Sequence, residues 1–159
     1  MSLPAVRVLS LLEVCAALAA DEPIACLVSI GDPGEPPPPR WERVAHRLRL
    51  EMVDAEHEIA GRVPTADDIR RLIGFAETIG KVGGPTVLHC RAAISRSTAA
   101  TFIVFAVLLG PGREREAVEA LYAIKPYALP NRLMVRLADE LLGREGRLME
   151  ALLGRGSSG

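Results

Sequence analysis

Thr86-Val87-Leu88-His89-Cys90-Arg91-Ala92-Ala93-Ile94-Ser95-Arg96-Ser97-Thr98 is the stretch around which the rest of this sequence is ordered. Four residues of strand character, Thr86 to His89, enter a loop of mostly small residues, and the loop enters an apolar run, Ala99 to Leu109. That run is about half as long as a membrane span requires, so it reads as a buried helix. A strand that feeds a helix through such a loop points several backbone N–H groups at one spot and adds the helix dipole. The product is an anion cradle. Arg96 stands where its guanidinium can fork onto two oxygens of a tetrahedral oxyanion. Cys90 lies under the same field, which favours the thiolate. A thiolate beneath a bound phosphate is a nucleophile aimed at phosphorus. Ser97 can hydrogen-bond the sulfur or help it leave, and His89 can hold the backbone around Cys90.

A Cys followed six positions later by Arg is weak on its own, because in this Arg-rich chain it arises by chance in roughly a tenth of trials. Requiring His before the Cys and a hydroxyl residue after the Arg lowers chance agreement to roughly one in several thousand. Cys15 and Cys26 carry Asp at the same offset, Asp21 and Asp32, and read as structural core thiols.

Working outward, strands and helices alternate. Ala5–Leu9 is a short strand candidate and Leu11–Ala20 a helix. Ile24–Ile30 is a continuous apolar run of strand length, as a strand covered on both faces should be. Gly31 to Glu35 and the four prolines at 36–39 form an extended loop. Residues 46–53 alternate polar and apolar like an edge strand. Thr65 and Asp68 fit a capping box opening a helix to about Lys81, which Gly83-Gly84-Pro85 ends. Two further helices are expected at about 113–123 and 131–143. The pattern predicts an α/β fold with a central, mainly parallel sheet flanked by helices. In such sheets ligands collect beyond the carboxyl ends of the strands, where the loops after Gly31, Asp54 and Cys90 emerge.

At 159 residues the chain suits a single domain, read as 1–153 with a flexible tail at 154–159. An apolar fraction of 49% supplies a core, and a net charge of −1 offers no bulk field for nucleic acid. Three Cys without a CxxC and three scattered His argue against a zinc site, and the sparse thiols suggest a reducing compartment. No metal or other cofactor is expected. Arg7 and the apolar residues up to Ala19 imitate a signal peptide, but Glu13 interrupts the run. A cytoplasmic protein without a membrane partner is therefore expected.

The Cys90 segment resembles the signature of the cysteine-dependent protein tyrosine phosphatases, H-C-x2-G-x2-R-[ST], and its Ser-Arg-Ser ending resembles the dual-specificity branch. Leu129-Pro130-Asn131 and the following Leu133 to Leu137 resemble the Pro-Asn element before the last helix of those domains, so the likeness extends over about residues 5–145. The resemblance implies a protein-tyrosine-phosphatase-like fold, with Cys90 as nucleophile and Arg96 as the phosphate-binding arginine. It makes Ser97 the hydroxyl assisting breakdown of a cysteinyl-phosphate. Arg91, Ala92, Ala93, Ile94 and Ser95 would bind substrate through their amides, with His89 and Asn131 in support. The motif's Gly falls on Ala93, which would be strained by about 1 kcal/mol if a positive φ is needed there.

Asp54 is the expected general acid. It ends the Arg47–Val53 stretch and lies 36 residues before Cys90, where the family likeness places a mobile acid loop. An Asp capping a loop turn is its structural alternative, and Glu56 and Asp32 stand in reserve. Arg40 and Trp41 follow the proline run, where charge and stacking could clamp a phosphoaryl group, but a lone Trp near a loop is more often a packing residue, and that is the expectation here. The expected activity is hydrolysis of phosphotyrosine, and by extension phosphoserine or phosphothreonine, on a protein or a small phosphate monoester. A catalytically weak phosphate-binding module of the same fold and a rhodanese-like sulfurtransferase are the alternatives.

Overall fold

The computed structural model describes residues 2–57 and 61–155, and among them the strand and helix stretches alternate much as the sequence suggests. Strand β1 (Val6–Leu9) passes through Ser10 into helix α1 (Leu11–Ala19). The Ser10 hydroxyl accepts from Glu13 N–H, and the Glu13 carboxylate accepts from Ser10 N–H, so two end donors are satisfied reciprocally. Strand β2 (Cys26–Gly31) is buried along its whole length, which is why its sequence is continuously apolar apart from Ser29. After the proline-rich loop, β3 (His46–Glu51) forms one edge of the sheet, exposed at His46 and Arg47 and becoming buried toward Leu50 in place of the alternation its sequence suggests. Helix α2 (Ala66–Val82) opens on the expected capping box, Thr65 with Asp68. Strand β4 (Thr86–His89) then leads into the Cys90 loop and helix α3 (Arg96–Leu109).

The sheet order is β1-β4-β2-β3 and every pairing is parallel. All four strands therefore end at the same edge. The pleat divides their side chains between two cores. Cys26, Val28, Ile30 and Leu88 face a large cluster with α2 and α3, to which α4 (Glu114–Ile124) and α5 (Arg132–Leu142) contribute. Leu27 and Val87 face a smaller cluster beneath α1. Helix α3 is buried from Arg96 to Ala106, polar in its first turn and apolar on every face from Phe102 on, and forms the hub of the helical layer.

One further feature departs from the sequence reading. Helix α6 (Arg147–Gly154) includes Gly154, which was placed in the flexible tail; Gly156–Gly159 lie outside the described residues. Leu148 and Leu152, four apart, bury one stripe of this short helix against the core. Arg40 and Trp41 do not approach the Cys90 loop. They precede β3 at the amino edge of the sheet, where Arg40 pairs with Asp21 at 2.6 Å. Trp41 packs on the smaller core, with the Arg47 guanidinium 5.1 Å above its ring. No helix among the described residues is long and apolar enough to cross a membrane.

Candidate active site

The Cys90 loop is held open by bonds to its carbonyls, all made from outside the loop. Arg91 O accepts from Leu11 N–H at 3.0 Å, Ile94 O from Leu129 N–H at 2.8 Å, and Ser95 O from Asn131 N–H at 3.1 Å. Cys90 O faces His89 Nδ1 at 3.3 Å. In a trans peptide the N–H points opposite to the carbonyl it follows, and no cis bond occurs among the described residues. Carbonyls drawn outward therefore turn the N–H groups of Arg91, Ala92, Ser95 and Arg96 inward. A ring of inward N–H groups at the start of α3 suits a tetrahedral anion.

Ala93 makes the tight bend. Its φ is +61°, in the left-handed region that glycine adopts without cost, and it is 1% exposed. The strain anticipated from the sequence is thus present, about 1 kcal/mol.

Cys90 sits at the foot of the loop with its Sγ 3.0 Å from Ser97 Oγ. Its surroundings differ from those of Cys26, which lies inside β2 with burial pushing its thiol pKa up, the setting of an inert core cysteine. Arg96 is buried, and both hydrogen-bond partners of its Nη1 are fixed: Asp32 Oδ1 and Met52 O, each at 2.8 Å. Asp32, a reserve acid in the sequence reading, is thereby the partner of Arg96. Arg91 is exposed and drawn sideways to Glu35 Oε1 at 3.0 Å and Asp32 Oδ2 at 3.8 Å. Glu35 was not singled out from the sequence, since its ion pair with Arg91 spans 56 residues.

Asp54 reaches the same place from the far side. Its Oδ1 accepts from Ser95 Oγ at 2.7 Å and from Asn131 Nδ2 at 2.9 Å. Ser95 occupies the N-cap of α3 but makes no side-chain cap, because its hydroxyl is given to Asp54. Asn131 also donates to Ala55 O at 3.2 Å and accepts from Met134 N–H at 3.0 Å, so it caps α5 and grips the Asp54 loop together. Glu56 is occupied elsewhere, accepting from Arg132 N–H at the start of α5. His57 is exposed. Beside the cradle runs a groove of about 790 Å³ whose lining includes Asp54, Ile94, Ser95, Ala128, Leu129 and Pro130. Ala92 is exposed at the mouth. The described residues hold no cluster of three His, Cys, Asp or Glu side chains suited to a metal ion.

No family model matches the chain, and no curated protein matches it in sequence. Solved structures do. Human DUSP28 superposes with a TM-score of 0.68 at 17% identity, over 93% of this chain and 96% of that one. DUSP15 superposes with a TM-score of 0.66 at 25% identity, over 98% and 94%. PTPMT1 in complex with PI(5)P gives 0.60 at 20% identity, over 87% and 94%. The fold is that of the dual-specificity type of cysteine phosphatase.

Two outcomes follow from the local chemistry. Burial lowers the His89 imidazole from its ordinary 6.5 to about 4, opposed by the Cys90 carbonyl and reinforced by Arg49. The unfolded chain binds this proton near 6.5 and the folded chain only near 4, so folding stability falls as pH drops through that window. The loss amounts to about 3 kcal/mol between neutrality and pH ~4. Chemical denaturation of His89→Gln against the wild type should show that much less pH dependence. At Ala93, substitution by Gly should leave stability within about 1 kcal/mol, relief of strain being offset by lost packing and a freer unfolded chain. Ala93→Val places a β-branched side chain at positive φ. It should abolish oxyanion binding measured by calorimetry with vanadate.

Proposed function

We propose that this chain is a metal-independent phosphatase that hydrolyses phosphotyrosine monoesters through a cysteinyl-phosphate intermediate. The observation that carries this reading is the outward bonding of the loop carbonyls, which turns amide N–H groups inward above the Cys90 sulfur. In the first step Cys90 Sγ attacks phosphorus in line, the S–P bond forms and the P–O bond to the leaving group breaks. Asp54 gives its proton to the departing oxygen. In the second step Asp54 takes a proton from water, the water oxygen bonds to phosphorus and the S–P bond breaks. Ser97 Oγ, 3.0 Å from the sulfur, donates to the returning thiolate.

Both partners of Arg96 Nη1 are already within the protein, so the edge formed by Nε and Nη2 is the one assigned to two phosphate oxygens. Arg91 is the one basic residue at the variable positions of the loop, and Glu35 and Asp32 already balance it. A single phosphate on a phosphorylated protein or small ester fits this charge better than a polyphosphorylated inositide. The groove beside Asp54 gives room for the body of the ester on the leaving-group side.

A second reading rests on Ala93: a loop strained at φ +61° holds phosphate but turns it over weakly. The sulfurtransferase alternative has no use for the Asp54, Ser95 and Asn131 contacts. Turnover of p-nitrophenyl phosphate, abolished by vanadate, separates these readings.

Cys90→Ser should eliminate that turnover while vanadate or phosphate still binds; undiminished activity would remove the mechanism. Asp54→Asn should slow turnover about 100-fold and flatten the basic limb of the pH profile. An unchanged profile would assign the proton transfer to another group.

A further inference from the structure

Arg49, Ser29 and His89 stand at one level on three adjacent strands. Ser29 of β2 is in register with His89 of β4 on one side and with Arg49 of β3 on the other. Leu27 and Val87, two residues earlier, face the core beneath α1, and the pleat sends Ser29 and His89 to that same face. Both side chains are buried among apolar neighbours, so their polar atoms need defined partners.

The direction of each hydrogen bond follows from what each group can do. A guanidinium only donates, so Ser29 Oγ accepts from Arg49 Nη1 at 2.8 Å. That bond leaves a second lone pair on Ser29 Oγ, so the tautomer is decided at the other end of the ring. The Cys90 carbonyl only accepts, which calls for the proton on His89 Nδ1, 3.3 Å away. Nε2 of the neutral ring then accepts from the Ser29 hydroxyl at 2.6 Å. The row therefore runs from a cation to the backbone of the candidate nucleophile. The bare Cα of Gly31 belongs to it, since a Cβ there would collide with the Arg49 guanidinium.

We propose that Arg49 and Ser29 are positioning residues for Cys90, acting through His89: the row locks the imidazole as its Nδ1–H tautomer and so pins the Cys90 carbonyl away from the cradle. This rests on the reading of Cys90 as nucleophile and adds residues from β2 and β3 to its support. The peptide plane that carries the Cys90 carbonyl also carries Arg91 N–H, so holding one aims the other into the cradle. Without Ser29 the ring proton is free to move to Nε2. Nδ1 would then set a lone pair against the carbonyl oxygen, and the first peptide of the loop would lose its anchor. The charged groups facing the imidazole are Arg49 from β3, Glu35 from the loop after β2 and Arg96 from α3. Those around the loop are Arg91, Asp32 and Asp54, with the uncharged Ser97 against the sulfur.

The test follows Cys90 alkylation by iodoacetamide across pH, together with ¹⁵N resonances of the His89 ring. Wild-type protein should show protonated Nδ1 and bare Nε2. Ser29→Ala should move the alkylation profile to higher pH by about one unit, a roughly tenfold loss of rate on its acid side. Ser29→Thr, which keeps the hydroxyl, should restore it, and Arg49→Met should give a smaller shift in the same sense. A purely structural Ser29 would change stability and leave the profile in place, which overturns the proposal. So does a wild-type ring protonated on Nε2, a result that needs no variant to fold. If the wild-type thiol itself reacts only as an ordinary cysteine does, the nucleophile reading falls first. If it reacts at low pH and Ser29→Ala matches it, the role of the row alone is lost.

Discussion

A backbone loop can present its amides to an anion only if something else takes its carbonyls. Here the takers come from widely separated parts of the chain: Leu11 at the start of α1, His89 at the end of β4, and Leu129 and Asn131 before α5. Each is brought to the loop by a different packing event. The parallel sheet puts the end of β1, and hence Leu11, beside the end of β4. The packing of α5 on α2 and α3 puts Asn131 against Ser95. The cradle is therefore a product of the whole helical layer. Loosening α5 would release Ser95 and Asp54 together.

The same economy appears in the side chains, where local rules give way to the site. Ser95 stands at an N-cap and yet gives its hydroxyl to Asp54, leaving the end of α3 without the side-chain acceptor that serine ordinarily supplies. Ala93 takes a conformation that a side chain disfavours. Asn131 does the opposite, performing its local task as the cap of α5 with one amide atom while the other holds Asp54. Exceptions of this kind cluster between residues 93 and 95, where an isolated helix would have no reason for them.

What the sequence disclosed and what it withheld divide along the range of the interactions. Cys90 and Ser97 are seven apart across a single turn of loop and helix, so composition and spacing were enough to bring them together. The Thr65 and Asp68 cap is equally local, and β2 announced itself by a run of apolar residues. Glu35, Ser29 and Arg49 carried no such mark. Their partners lie 56, 60 and 20 residues away; strand register makes Ser29 a neighbour of His89 and Arg49, and the adjacent ends of β2 and β4 bring Glu35 to Arg91. Asp32 was legible as a carboxylate near a strand end but not as the partner of Arg96. Trp41 packs, as a lone Trp near a loop was expected to, but the sequence did not say which edge of the sheet its loop returns to. Helix α6 was passed over because its eight residues, between Gly146 and Arg155, are too few for periodicity to assert itself.

Putting Arg96, His89 and Ser29 below the surface has a thermodynamic cost, and the way the cost is met constrains the geometry of the site. A buried guanidinium or imidazole is tolerated only when its donors and acceptors are matched. Arg96 meets this at Nη1 with one carboxylate and one carbonyl, and His89 at both ring nitrogens with one hydroxyl and one carbonyl. Each match fixes an angle as well as a distance, so the partners cannot drift without leaving a polar atom unpaired. The apolar bulk of α3 immediately behind them, close-packed from Ala99 to Ala106, removes the space into which they could relax. Precise placement of the loop is thus enforced from two directions, by polar matching at its foot and by dense packing behind it.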